Sequence, residues 1–179
     1  MSSMKPTVTG LVEVFTGEGR GKTSAALGTA VRALGNGLRV RIVAFMKAGR
    51  SSGEWNIFEG LPSITVSRYG SDRMVDPENP RPADKEGAAA ALAAGREALL
   101  SGDYDLVILD EINVAASWRL IDIKDVIALV EDKPERVELI LTGRYADKEI
   151  VRRADQVTEM LNIKHPYDQG TPARKGIDY

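Results

Sequence analysis

With 179 residues, 43% of them hydrophobic and 28% charged, the chain has the length and balance of one soluble domain with a sizeable core. A formal charge of −2 excludes a global field that would draw in nucleic acid or an acidic membrane. The absence of cysteine excludes disulfides, thiolate metal sites and a cysteine nucleophile. The opening stretch MSSMKPTVTG lacks an apolar core of signal-peptide length, and no apolar run is long enough to cross a bilayer. The expectation is a cytoplasmic protein with no membrane or nucleic-acid partner, folded as a single domain over residues 1–179.

In chain order, Leu11 to Phe15 reads as a strand feeding a glycine loop. Lys22 to Gly37 follows as a helix closed by glycine. Strands are predicted over Leu38–Lys47 and Ser63–Tyr69, then a loop over Asp76–Asp84 with three prolines. Ala83–Gly102 is an alanine-rich helix, and its run from Ala88 to Ala94 predicts close packing. A buried strand over Tyr104–Ile112 carries two acids near its end. Beyond it come a helix (Ile123–Lys133), a strand (Arg136–Gly143), a helix (Asp147–Ala154) and one or two strands within Asp155–His165. An irregular stretch, Asp168 to Gly176, lies near the C-terminus. Strands alternating with helices predict an α/β fold with a mostly parallel sheet and helices on both faces. Ligands of such sheets bind at the carboxyl ends of the strands.

Two motifs fall at such ends. In TGEGRGKTS, Thr16 to Ser24, the glycines let backbone amides turn toward phosphate oxygens, and the following helix adds its positive dipole end. Lys22 reaches a phosphate as a point charge, Arg20 adds a second cation, and the Thr23 hydroxyl is a Mg²⁺ ligand type. The usual phosphate loop wants glycine at position 16, where Thr16 stands; Gly17, Gly19 and Gly21 follow. The cradle is therefore expected as a variant. The second motif, LVILDEI, ends in Asp110 and Glu111, the acid type that partners Mg²⁺ beside such a loop. Strand alternation predicts that one of them meets the metal and the other supports it or binds the loop.

In LTGR, Thr142 is a candidate phosphate sensor and Arg144 a candidate for neutralising triphosphate charge. Single His165 reads as a surface or core residue, and Trp55 and Trp118 as packing aromatics. No Ser-His-Asp constellation stands out, so the chain is expected to position a triphosphate and metal without a nucleophile of its own.

The stretch VFTGEGRGKTSAALGTAVRALGNGLRV resembles the loop, helix and second strand of the P-loop ATP:corrinoid adenosyltransferases. The family loop Gly-x-Gly-Lys-Gly-Lys-Thr corresponds to Gly17–Thr23, with Arg20 for lysine. VILDE, ILTGR and the tail KHPYDQGTPARKGIDY are similar as well, so the resemblance runs from about Leu11 to Tyr179. It implies a P-loop NTPase-like (RecA-like) fold and transfer of the 5′-deoxyadenosyl group of ATP to the Co(I) of a reduced corrinoid, with triphosphate leaving. It also implies a reversed nucleotide that exposes the ribose C5′. Lys22 and the loop (Gly17, Glu18, Gly19, Arg20, Gly21, Ser24), with Arg144, would hold the nucleotide. Thr23 and Glu111, with Asp110 beside them, would hold Mg²⁺ or Mn²⁺. A homodimer and a reductase supplying Co(I) are implied partners. The family places a Phe-x-Trp pair in the loop after the third strand, whereas Ser71–Pro77 here has no aromatic. Met74 and Val75, with Tyr69 nearby, are the candidates for apolar contact with the corrinoid; the acceptors implied are cob(I)alamin, cobinamide or cob(I)yrinic acid diamide, the tail-less forms being those that ask least of a loop without the pair. The chain also starts close to the first strand, without the N-terminal helix some members carry. Two other readings predict different products: a kinase or ATPase would release ADP, and a non-catalytic ATP- or corrinoid-binding regulator would release nothing.

Overall fold

The structure, a computed structural model, describes residues 9–49 and 53–178. Six strands form one sheet: β1 (Val12–Thr16), β2 (Val40–Ala44), β3 (Ile64–Arg68), β4 (Leu106–Asp110), β5 (Glu138–Thr142) and β6 (Gln156–Glu159). Their order is β3-β2-β4-β5-β1-β6, and every neighbouring pair is parallel. The helices are α1 (Lys22–Gly35), α2 (Gly53–Phe58), α3 (Pro82–Ser101), α4 (Ile112–Ser117), α5 (Ile123–Glu131) and α6 (Lys148–Arg153), with a 3₁₀ turn over Pro166–Gln169.

The order reverses direction around β1. The β1-to-β2 connection passes over β5 and β4, whereas β5 to β6 passes over β1 the other way. Right-handed connections then send helices to opposite faces. The core divides accordingly. On one face Phe15, Ile42, Ile108 and Ile140 pack with Ala26 and Ala30 of α1 and Trp55 and Phe58 of α2. On the other, Val14, Val43, Leu109 and Leu141 pack with Ala88, Ala91 and Leu99 of α3, Leu129 of α5 and Ile150 of α6. Successive side chains of β4 and β5 alternate between these faces, as the pleat requires. Ile108 and Ile140 face α1, so Asp110 and Thr142, two residues on, emerge on the α1 face as well. Gly95 lets α3 lie close on the sheet, since a Cβ there would stand 2.7 Å from a Leu109 methyl.

The α/β class, the parallel sheet and the two helical layers match the sequence expectation. Several boundaries differ. The fourth strand stops at Asp110 because Glu111 takes φ 66°, and Ile112 begins α4. The proline loop ends earlier than expected, because Pro82 suits the first turn of α3, where its missing N–H costs nothing. Of the one or two strands expected within Asp155–His165, one forms, Gln156–Glu159. Helix α2 was not expected. Among the described residues, no helix is long and apolar enough to cross a membrane. Of the N-terminal stretch read above as lacking a signal peptide, residues 1–8 lie outside the described part.

Candidate active site

The glycine loop is shaped by its neighbour as much as by its own sequence. The Gly19 N–H donates to the Met160 carbonyl at 2.6 Å, just beyond β6. A Cβ on Gly19 would stand 2.5 Å from the Leu161 oxygen, and one on Gly17 would stand 2.4 Å from the Met160 oxygen. Gly17 also holds φ 94° and Gly21 φ 117°, a region that side chains with a Cβ avoid. These contacts account for Thr16. It is the buried last residue of β1; its carbonyl accepts from the Met160 N–H at 2.9 Å and its hydroxyl from the Ala146 N–H at 3.3 Å. The turn begins at Gly17, so position 16 needs no glycine.

Lys22 folds its ammonium back over this loop, donating to the carbonyls of Gly17 (2.7 Å) and Gly19 (2.6 Å). Burial pushes its pKa down, and the Arg144 cation adds to that, against the opposing pull of Glu111, Glu18 and Asp110.

The acids sit across from it. Asp110 is 1% exposed. Its Oδ1 accepts from the hydroxyls of Thr23 (2.8 Å) and Thr142 (2.6 Å), and its Oδ2 from the Lys47 ammonium (2.5 Å). Thr142 in turn accepts from the Glu111 N–H at 3.0 Å, which fixes the turn at the end of β4. Both Asp110 oxygens are therefore occupied. The Glu111 carboxylate accepts no hydrogen bond from the described residues; Lys47 approaches it at 3.9 Å. Burial raises the Glu111 pKa, and the neighbouring Asp110 charge raises it further. For Lys47, burial works to lower the pKa, but Asp110 and Glu111 outweigh it and the ammonium is held protonated. Lys47 also lies 5.9 Å from the centre of the buried Trp55 ring.

Three residues at strand exits around this point, Met46, Glu111 and Tyr145, hold positive φ (56°, 66° and 61°) without being glycine. Such backbone costs about 1–3 kcal/mol each and persists where the surroundings enforce it. Here it turns β2, β4 and β5 away at the mouth of a cleft of about 1370 Å³.

The other expected residues fall as follows. Glu18, Arg20, Ser24, Arg144, Met74 and Val75 line the cleft. Glu18 and Arg144 pair with each other at 3.1 Å, both half exposed. Arg20 is held by the tail: its guanidinium contacts the Asp178 carboxylate and the Ile177 carbonyl. The Asp178 pKa is pulled down to about 2, first by its side-chain bond from Arg174, then by the Arg174 N–H. Tyr69 packs against the α3-side core and is not among the cleft-lining residues. Thr142 meets Asp110, deep in the sheet, instead of the open cleft. His165 and both tryptophans line the cleft. Lys47 was missed, although it stands at a strand's carboxyl end, the same signal that singles out Asp110.

Among the described residues no three acidic or histidine side chains gather to cage a metal. A hydroxyl and one open carboxylate beside a phosphate loop are nonetheless hard oxygen donors of the kind Mg²⁺ uses together with substrate phosphates. The Thr23 and Glu111 side chains fit that role.

A glycine loop joining the first strand to the first helix, with acids at the end of a nearby parallel strand, defines a P-loop NTPase-like α/β protein. The comparisons narrow the class. The chain belongs to the ATP:corrinoid adenosyltransferase BtuR/CobO/CobP family, whose model matches residues 8–179. It is 35% identical over 170 residues to the corrinoid adenosyltransferase CobA of Salmonella typhimurium, covering 95% of this chain and 86% of that protein. The corrinoid adenosyltransferase of Escherichia coli K12 is 33% identical with the same coverage, and that of Pseudomonas aeruginosa 33% with 84% of its length covered. The chain is accordingly an enzyme of adenosyl transfer between ATP and a corrinoid.

Proposed function

We propose that this cleft carries out that transfer with the chain's own groups acting on the leaving triphosphate and none acting as nucleophile. The electron pair of a Co(I) corrinoid attacks the ribose C5′ of ATP. A Co–C bond forms as the C5′–O bond breaks, and triphosphate leaves with the bonding pair. Negative charge grows on the leaving oxygen. Lys22, the free amides of the loop and Arg144 are fixed donors beside it, and fixed donors stabilise growing charge without having to reorganise. The Gly19 amide is not among them, since Met160 already takes it.

Thr23 and Glu111 are the side chains that would hold Mg²⁺, and Asp110 would orient Thr23 from behind. The bound ion would draw off charge from the triphosphate. The cleft would have to hold the nucleotide with C5′ toward the apolar side lined by Met74, Val75 and Trp118. Alignment of cobalt and carbon supplies the remainder of the rate. With no aromatic in Ser71–Pro77, a corrinoid lacking the nucleotide tail is the favoured acceptor. The family resemblance supports a cytoplasmic homodimer served by a reductase.

The observation that carries this reading is the 2.8 Å bond from Thr23 to Asp110, which ties the glycine loop to the strand-end acids in one cleft. The test is anaerobic: protein, ATP, Mg²⁺ and chemically reduced corrinoids with and without the tail. The expected products are adenosylated corrinoid and stoichiometric triphosphate. ADP and phosphate without alkylated cobalt would overturn the reading.

A further inference from the structure

Lys47 is a part-buried ammonium at the centre of the site, and the reaction as described does not use it. Four elements converge on it. The backbone after β2 delivers it: Met46 turns with φ 56°, and the Lys47 N–H donates to the Tyr69 carbonyl at 2.8 Å. A Cβ on Gly70 would stand 2.8 Å from the Met46 Cα, so this turn is pinned from the β3 side. The ammonium then lies 2.5 Å from Asp110, 3.4 Å from the Thr23 hydroxyl and 3.9 Å from Glu111, over the Trp55 ring of α2.

We infer that Lys47 is a positioning residue that decides which carboxylate meets the divalent cation and when; the inference rests on the metal assignment proposed above. Two adjacent acids and a hydroxyl would by themselves attract a divalent ion with or without nucleotide. Lys47 prevents that in two ways. It occupies Asp110 Oδ2, the one oxygen the two threonines leave open. Its charge also offsets one of the two negative charges, so the pair has too little field to dehydrate Mg²⁺ unaided. Glu111 and Thr23 remain available, but only nucleotide phosphates complete the set. Lys47 thus makes metal binding follow nucleotide binding. By donating to the Thr23 hydroxyl oxygen it also keeps the Thr23 proton pointed at Asp110, which leaves that oxygen one lone pair for the cleft.

The test uses Mn²⁺ alone, read by the electron paramagnetic resonance of the free ion, with no ATP or corrinoid present. Lys47→Met keeps the apolar stem over Trp55 and removes the charge. It should bind Mn²⁺ at least roughly tenfold more tightly than the wild type, since a full charge within 4 Å of the acids is lost. Lys47→Arg should restore wild-type affinity, and Asp110→Asn in the Lys47→Met background should abolish the gain. Lys47→Gln, which still donates a neutral hydrogen bond to Asp110, carries the same prediction and keeps the test open if the Met variant does not fold. Equal Mn²⁺ affinity in the wild type and in a folded neutral variant overturns the inference. Because neither substrate is present, that result is independent of whether the adenosyl-transfer assay succeeds. A purely structural lysine would shift melting but not nucleotide-free Mn²⁺ affinity.

Discussion

Replacing Gly19 by alanine isolates how the loop is held. The new Cβ would meet the Leu161 oxygen at 2.5 Å and the Met160 oxygen at 2.7 Å. Both are backbone atoms of a strand exit, so no side chain can swing away; the two segments must part. Parting them also breaks the bond from the Gly19 N–H to Met160. The lost hydrogen bond costs about 1 kcal/mol. Forced overpacking adds about 1–3 kcal/mol, for about 2–4 kcal/mol in all. In a domain of this size that lowers the melting temperature by roughly 5–15 °C. Gly28→Ala is the matched control. Gly28 lies inside α1 with nothing within 4 Å of a new Cβ. The same chemical change should there stabilise by about 0.5–1 kcal/mol through helix propensity. Thermal melts of both variants without ligand give the readout. A Gly19→Ala protein that melts with the wild type would refute the packing of the loop on Met160 and Leu161.

The other expectations concern the chemistry. Lys22→Ala should lower turnover roughly 100-fold or more, as loss of a fixed donor to a charged leaving group does; near-wild-type triphosphate release would remove Lys22 from that role. Glu111→Gln should raise the Mg²⁺ concentration needed for half-maximal turnover and also stabilise the metal-free fold at pH 7. The sign follows from Glu111's pKa, which the fold raises above 4.5, mainly by burial. The ionised carboxylate destabilises the fold above that raised pKa, and the penalty disappears as pH falls to the unfolded value. Denaturant titrations at pH 7 and pH 4.5 should therefore show the variant's advantage at the first and not at the second. Met74→Trp adds an aromatic at a cleft-lining position that is 77% exposed, so its stability should change by less than about 0.5 kcal/mol. Turnover of cobalamin with its nucleotide tail should rise relative to the tail-less corrinoid, and an unchanged ratio would argue against Met74 meeting the corrinoid.

What the sequence disclosed was local. The glycine loop, the helix after it, and Asp110 and Glu111 at a buried strand end are patterns within a few residues, whereas Thr142, read as a phosphate sensor, meets Asp110 instead. What it concealed depends on partners far apart in the chain. Lys47 meets Asp110 across 63 positions and Arg20 meets Asp178 across 158, and no local pattern encodes either pairing. Glycines 17 and 19 read as phosphate-cradle residues, yet half their reason is Met160 and Leu161, over 140 residues away. The strand expected through Ile112 ends early because a glutamate takes a left-handed backbone, a place where sequence signals point to glycine or asparagine.

Among the described residues, the charge pattern of the cleft separates four cations. Arg20 is bound to Asp178, Arg144 to Glu18 and Lys47 to Asp110, each within salt-bridge distance. Lys22 is different: among the described residues it has no carboxylate at that distance and rests on two neutral carbonyls. On the reading proposed above, a triphosphate entering the cleft would have to compete with a carboxylate for Arg20 or Arg144, but would gain Lys22 in exchange for carbonyl contacts alone. An ion pair exchanged for another near the surface yields little net free energy. A buried cation without a carboxylate at salt-bridge distance, by contrast, lacks the counter-charge its environment favours, as its lowered pKa indicates. On that reading, most of the differential attraction for the polyanion would therefore reside in Lys22. Arg20 and Arg144, paired at the half-exposed rim, would hold contacts that the arriving phosphates rearrange, whereas Lys47 stays on Asp110 inside the site.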